Sequence, residues 1–293
     1  MPRGGGRPRT TPIAVFPSFI RPVNNFLGLN FDPPRSAGGR IFSSPSTSLL
    51  NHSSGHKFNM ALPAPETKNL PVLHHPLPGG NTALLNQRAR DQGEGTTGTT
   101  LWLGAQVLSA YLAKHGADSR NKEPKLRALE LGAGVGLLSL TLAEMGYDVL
   151  SSDIDPVVAI LESNMKANWA LGNVAVTKVD WLNPPLLEGE FDIIVTADTI
   201  YTPDLVDPLW NTVARYSGPG TTSYVAVENR DPRLMESAYE RGKELGFDVK
   251  RINANRIVKA VERVWGWKKG EGWEGVEIWK AKYRGKKEDS PKA

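Results

Sequence analysis

A chain of 293 residues, 40% of them hydrophobic, has room for one large domain with an extension or for two small ones. It contains no cysteine, which excludes disulfides, thiolate nucleophiles and cysteine metal sites, and no stretch approaches the roughly 20 apolar residues that span a bilayer. The net charge of +4 is unevenly placed: residues 1–60 carry seven Arg or Lys against Asp32 alone, a local +6, so the rest of the chain sums to −2.

Residues 1–60 are rich in Gly, Pro, Ser and Arg without a sustained period. Such a segment cannot bury enough apolar surface to offset its ordering entropy, so a disordered basic extension is expected there. Pro12, Pro17, Pro22, Pro33 and Pro34 break any long amphipathic helix and so argue against a mitochondrial leader. Residues 61–95 read as a lead-in, with 70–73 as a short edge strand and the Pro-Gly-Gly at 78–80 as a turn. Its His74-His75 pair has no partner at helical spacing and does not read as a metal site.

From residue 96 to 284 strands and helices alternate. The hydrophobic periods place a helix over 100–115, a strand over 126–130, a helix over 136–145 and a strand over 147–152. A helix over 156–170 follows, with Asp155 as its N-cap and Pro156 at its first position. Strands over 173–179 and 191–197, a helix over 203–216, a strand over 223–228 and a helix over 232–245 come next. Strands over 247–252 and 276–283 close the domain, with no clear helix between them, and 285–293 is a polar, basic tail. This order argues for an α/β fold: a Rossmann-like, doubly wound, mostly parallel seven-stranded sheet with an antiparallel closing strand.

One segment points to a ligand. Residues 126–136 read Leu-Arg-Ala-Leu-Glu-Leu-Gly-Ala-Gly-Val-Gly. Glycines at the end of a parallel strand allow a tight turn and close approach of a ligand to the backbone, and the next helix aims its N-terminal amides at that ligand. The dinucleotide fingerprint G-x-G-x-x-G is not met. Gly132 and Gly134 fit its first two positions, but Gly136 comes one residue early and position 137 is Leu. Glu130 would face a pyrophosphate with the wrong charge. The pattern suits instead a ligand with a cationic amino-acid end and an adenosine end.

Ligands of open α/β sheets sit beyond the C-terminal ends of the strands. Asp153, after the second strand, can accept hydrogen bonds from both ribose hydroxyls. After the third, Asp180 can accept from an adenine amino group and Trp181 can close the apolar side of a base site. The fourth strand ends in Ala197-Asp198-Thr199-Ile200-Tyr201 and adjoins the first, which sets Asp198 beside the reactive end of the ligand.

The glycine loop resembles motif I of the class I, S-adenosylmethionine-dependent methyltransferases. With Asp180-Trp181, the D-x-x-Y of Asp198 and Tyr201, and Trp102 in T-T-G-x-x-x-W, the chain is similar over 95–285 to the seven-β-strand protein lysine methyltransferases of the methyltransferase-16 family. Glu228-Asn229-Arg230 and the closing 275–280 resemble its methyltransferase-like type 22 branch. The resemblance implies transfer of a methyl group from S-adenosylmethionine, leaving S-adenosylhomocysteine, to a lysine amine of a protein, with no metal. It implies catalytic roles for Asp198 and Tyr201. It assigns the cofactor to Trp102, Glu130, Gly132, Gly134, Gly136, Asp153, Asp180, Trp181 and Ala197.

The implied partner is an elongation factor, ribosomal protein, chaperone or nuclear nucleic-acid-binding protein met by a monomer in the cytoplasm or nucleus, not at a membrane. Trp102 and Tyr201 are expected to wall an apolar channel for a neutral amine. Loops 201–206, 229–233 and 253–275 are candidates for docking the partner, and Trp265, Trp267 and Trp273 read either as a docking patch or as core. Two other functions stay open. One is methylation of RNA or a small-molecule amine, which the basic arm and Lys280, Lys282, Arg284, Lys286 and Lys287 would suit. The other is a non-catalytic binding protein on a cofactor fold. Asn183-Pro184-Pro185-Leu186 resembles an amine-methyltransferase N-P-P-Y signature, but it precedes the fourth strand and lacks the aromatic residue, so it reads as a loop.

Overall fold

The computed structural model describes residues 61–88 and 97–285. The expected extension over 1–60, part of the lead-in at 89–96 and the tail from 286 lie outside the described residues. Seven strands form the main sheet: β3 (Arg127–Leu131), β4 (Asp148–Asp153), β5 (Val174–Lys178), β6 (Ile193–Ala197), β7 (Thr222–Glu228), β8 (Phe247–Arg251) and β9 (Val276–Tyr283). Their order is β5-β4-β3-β6-β7-β9-β8. The first five are parallel, and β9 runs antiparallel to both β7 and β8. Four consecutive buried positions in β3 and in β6 mark strands covered on both faces. The chain winds outward from β3 through β4 to β5, then returns to pair β6 with β3. That reversal is the switch point at which an open α/β sheet forms its crevice.

Two apolar cores cover the sheet. Helices α2 (Leu103–His115), α3 (Leu137–Glu144), α4 (Val157–Ala167) and α7 (Ala254–Trp265) supply one. Helices α5 (Val206–Tyr216) and α6 (Pro232–Glu244) supply the other, around the fully buried Trp210 and Trp279. Asp231 caps α6 by accepting from the Arg233 and Leu234 amides, and Pro232 takes its first position.

Several local expectations need correction. Asp155 does not cap α4: Pro156 occupies the cap position, and Asp155 Oδ2 accepts from Lys178 Nζ at 2.7 Å. The stretch before the last strand is not irregular, because α7 fills it. Its signals are local ones: Asn253 accepts from the Asn255 amide at the start, and Gly266 ends it at φ 73°. Only Ile257, Ala260, Val261 and Trp265 are buried along it, a narrow stripe among charged residues that hides the helical period. The three tryptophans are core, not patch: Trp265, Trp267 and Trp273 are all buried. Lys280 and Lys282 belong to β9 rather than to a tail.

The lead-in is more than an edge strand. A short helix α1 (Ala64–Thr67) precedes an antiparallel hairpin of β1 (Val72–Pro76) and β2 (Thr82–Asn86), joined through Gly80 at φ 103°. Leu73 and His75 on one strand, with Ala83 and Leu85 on the other, alternate inward, and β2 packs against α3 and α4. The second strand escapes notice in the sequence because five residues carry only two buried apolar side chains. Buried amides hold the unit in place. Asn168 and Asn164 bond the backbone of Leu84 and Asn86, and Trp267 Nε1 donates to Ala61 O at 2.5 Å. His75 donates through Nδ1 to Pro76 O at 2.7 Å and accepts at Nε2 from Gln106 at 2.9 Å. Burial lowers its pKa to about 4, so the ring stays neutral.

Candidate functional site

At the C-terminal ends of β3, β4, β5 and β6 lies a cavity of about 560 Å³, within the range that holds small-molecule ligands. Every sequence-predicted site residue except Gly136 lines it. Gly132 and Gly134 have φ of 69° and 58°, and a Cβ at Gly132 would stand 2.6 Å from Thr199 Cγ2. The loop therefore presents bare backbone to the cavity. Gly136 does something else. At φ 90° it opens α3, and a Cβ there would meet Leu161 Cδ1 at 2.9 Å, so its small size serves helix packing rather than the cavity wall.

The carboxylates are held in different ways. Asp153 Oδ2 accepts from the Gly134 amide and Oδ1 from the Ile154 amide, both at 2.8 Å. Burial raises its pKa, and these two bonds oppose the rise. Asp180 is exposed at the rim, with Oδ1 accepting from the Leu182 amide at 2.9 Å. Trp181 lies half-buried beside Gly132. Glu130 is only 2% exposed and bonds the Ser139 hydroxyl, which lies 2.6 Å from Ser151 Oγ. Desolvation pushes its pKa up to about 8, outweighing the Ser139 bond, so it is protonated at neutral pH.

Asp198 follows Ala197 at the end of β6 and carries φ 55°, the one positive value outside glycine among the described residues. Aspartate tolerates this region better than most side chains, and such backbone collects at functional sites. The turn aims the carboxylate back across the cavity. Its Oδ2 accepts from the Gly104 amide at 2.6 Å, in the first turn of α2, and its Oδ1 from the Glu228 amide at 3.1 Å. Burial raises the pKa to about 6, and both amide bonds oppose that rise. Near neutral pH Asp198 is an oriented carboxylate, half-buried, with lone pairs left to meet a ligand. Tyr201, 58% exposed, stands at the rim.

Trp102 departs from the expected apolar wall. Its Nε1 donates to Thr97 O at 2.6 Å, and its ring carries two cations, Lys68 Nζ at 3.7 Å and the Arg230 guanidinium at 5.2 Å from the centroid. Arg230 also pairs with Glu228. Among the described residues, six carboxyl groups line the cavity (Glu130, Asp153, Asp155, Asp180, Asp198 and Glu228) against the single cation Arg230. A ligand with a cationic centre and a polar, apolar-faced nucleoside fits this lining, as S-adenosylmethionine would.

A sequence profile described as lysine methyltransferase matches residues 85–241, more than half of the chain. This chain belongs to the lysine methyltransferase family. Among relatives of this family member, EEF1A lysine methyltransferase 3 of Mus musculus is 28% identical over 143 residues, 48% of this chain and 60% of the relative. Protein N-lysine methyltransferase METTL21A of Danio rerio is 29% identical over 173 residues, 54% of this chain and 76% of the relative. The electron transfer flavoprotein beta subunit lysine methyltransferase of Mus musculus is 36% identical over 110 residues, 37% of this chain and 40% of the relative. The aligned region thus spans less than two thirds of two of these three methyltransferases.

One residue that shapes this site carries no role in the sequence reading. A Cβ on Gly104 would lie 2.6 Å from Asp198 Oδ2, so glycine there is what admits the carboxylate to the α2 amide. Its signal was available: a glycine in the first turn of a helix two residues after Trp102 costs helix propensity and asks for a reason. Arg230, part of the Glu-Asn-Arg run, has no sequence signal for its place on the Trp102 ring. The Asn183-Pro184-Pro185 run lies in the loop before β6, outside the cavity lining.

Proposed function

We propose that this chain methylates a lysine side-chain amine of a protein with S-adenosylmethionine as donor. The observation that carries the reading is Asp198, a carboxylate fixed by two backbone amides at the strand end that adjoins the glycine loop, in a member of the lysine methyltransferase family. Gly132, Gly134 and Asp153 would hold the donor at one side of the switch point, with Asp180 and Trp181 at its base. The bound donor supplies an electrophilic methyl group on a sulfonium.

A lysine amine is mostly protonated in water, with a pKa near 10.4, and must shed its proton before it can attack. Asp198 accepts a hydrogen bond from the incoming amine and orients its lone pair, and such positioning supplies a large part of the rate. Trp102 and Tyr201 flank the path of the lysine stem toward Asp198. The released proton passes to bulk water.

The target is a protein, as it is for the relatives that act on EEF1A and on the electron transfer flavoprotein beta subunit. The test is incubation of the purified chain with methyl-labelled S-adenosylmethionine and a cell extract. Label that survives nuclease and is lost with protease supports the reading, and mass spectrometry then names the protein. Label lost with nuclease instead would replace this reading with an RNA methyltransferase.

A further inference from the structure

We propose that the chain is also its own substrate, and that Lys68 is a site of intramolecular methylation. The inference rests on the transferase reading above. Lys68 ends α1, and its Nζ lies 3.7 Å from the centroid of the Trp102 ring. Trp102 lines the cavity, and it belongs to the corner that holds Asp198. Gly104, two residues on, donates to Asp198 Oδ2 at 2.6 Å. On the other side, Arg230 meets the same ring, and it follows Glu228, whose amide donates to Asp198 Oδ1 at 3.1 Å.

The placing of Lys68 is built into the fold. Gln87 is 5% exposed. Its Nε2 donates to Thr67 O at 3.0 Å and Leu70 O at 2.8 Å, while its Oε1 accepts from the Leu101 amide at 2.6 Å. Thr67 precedes Lys68 and Leu101 precedes Trp102, so one buried amide sets the lysine in register with the indole. Gln106, fully buried in α2, accepts from the Ala64 amide at 2.7 Å and donates to Leu62 O at 2.8 Å, which anchors the start of α1. A buried side chain that satisfies three backbone groups is costly to disturb. The module therefore sets one lysine, on a flexible four-carbon stem, against an indole that itself lines the cavity.

The chemistry is that of the proposed reaction. The Lys68 ammonium first gives its proton to water. The neutral amine then forms an N–C bond as the sulfonium–carbon bond breaks, and the bonding pair stays on sulfur as a neutral thioether. The product remains cationic, and aromatic faces hold methylated ammonium groups well, so the modified side chain returns to Trp102.

Full-length protein would be incubated with deuteromethyl S-adenosylmethionine, digested and mapped by mass spectrometry, while calorimetry records uptake of S-adenosylhomocysteine. Deuterated methyl on Lys68, at a rate per molecule unchanged by dilution, is the expected result. Lys68→Arg keeps a cation for Trp102 but offers no lysine amine, so it should lose the label at that position and keep its affinity for S-adenosylhomocysteine. Uptake of that ligand together with labelled extract proteins, but a blank Lys68, would overturn this inference alone. Labelling of Lys68 that rises with enzyme concentration would also overturn it, since one molecule would then be modifying another. Failure to take up the ligand at all would overturn the transferase reading instead.

Discussion

Asp198 spends both carboxylate oxygens on backbone amides before any ligand arrives, and that is why its removal should affect the site in two separable ways. Asp198→Ala is expected to keep calorimetric affinity for S-adenosylhomocysteine while turnover falls by about 100-fold, the lower end of what a positioned acid or base contributes. It also orphans the Gly104 and Glu228 amides, at about 1–3 kcal/mol for each that water cannot reach. Because burial lifts its pKa to about 6, Asp198 takes up a proton as the pH drops through that value and ceases to accept from an amine. The acid limb of the pH–rate profile should disappear in Asp198→Asn.

Glu130 makes an independent prediction about stability. Its folded pKa is about 8 against an ordinary 4.5. Between those values the folded state keeps a proton that the unfolded state has lost, so stability is greatest below the lower value and falls as pH rises toward the upper one. The melting temperature should decline from about pH 5 to about pH 8 more steeply in the wild type than in Glu130→Gln, which has no proton to lose. Equal slopes in the two proteins would mean that Glu130 is ionised throughout.

Among the elements, α2 carries the sharpest test. Replacing glycine by alanine in a helix ordinarily stabilises it by about 1 kcal/mol. In Gly104→Ala the new methyl group would meet the Asp198 carboxylate at 2.6 Å. Activity should therefore fall by at least tenfold, a loss of about 1.4 kcal/mol in transition-state stabilisation, with the helix no weaker by circular dichroism. Wild-type activity in this variant would show that Asp198 has room to move.

Legibility differed between elements for a physical reason. Strands β3, β6 and β7 were readable within a residue or two because parallel strands buried on both faces need apolar runs that few loops tolerate. Helix α7 was not, since it covers the sheet with one narrow stripe and leaves its charged faces to solvent. The caps Asn253 and Gly266 are its local signals, and three closely spaced tryptophans beyond them mask the helical pattern. Asp155 is not the α4 cap, because Pro156 occupies that position and Asp155 faces the Lys178 ammonium on β5 instead.

At the scale of the molecule, the lead-in and the transferase domain share one core. Ala61, Ala64, Leu73, Leu77, Ala83 and Leu85 are buried with α2 and α7. Deleting 61–88 would expose the faces of α2, α3 and α4 that these residues cover and strand the polar groups of Gln106, Asn164, Asn168 and Trp267. The deletion should lower the melting temperature by more than about 10 °C, several kcal/mol at the usual 2–4 °C per kcal/mol for a chain of this size. A separate, earlier unfolding step of the lead-in in the intact chain, with the rest unchanged, would refute this shared core.

The family, the sheet and the acids along its rim were all present in the residues themselves. Glycine spacing, strand runs and the chemistry of strand ends are local patterns, and local patterns survive in one dimension. What Gly104 does for Asp198, that Gly136 packs against α4 instead of facing the cavity, and that Lys68 rests on Trp102 were decided only in three dimensions. Each depends on a contact between segments far apart in the chain, and only the packed core sets which of those segments meet.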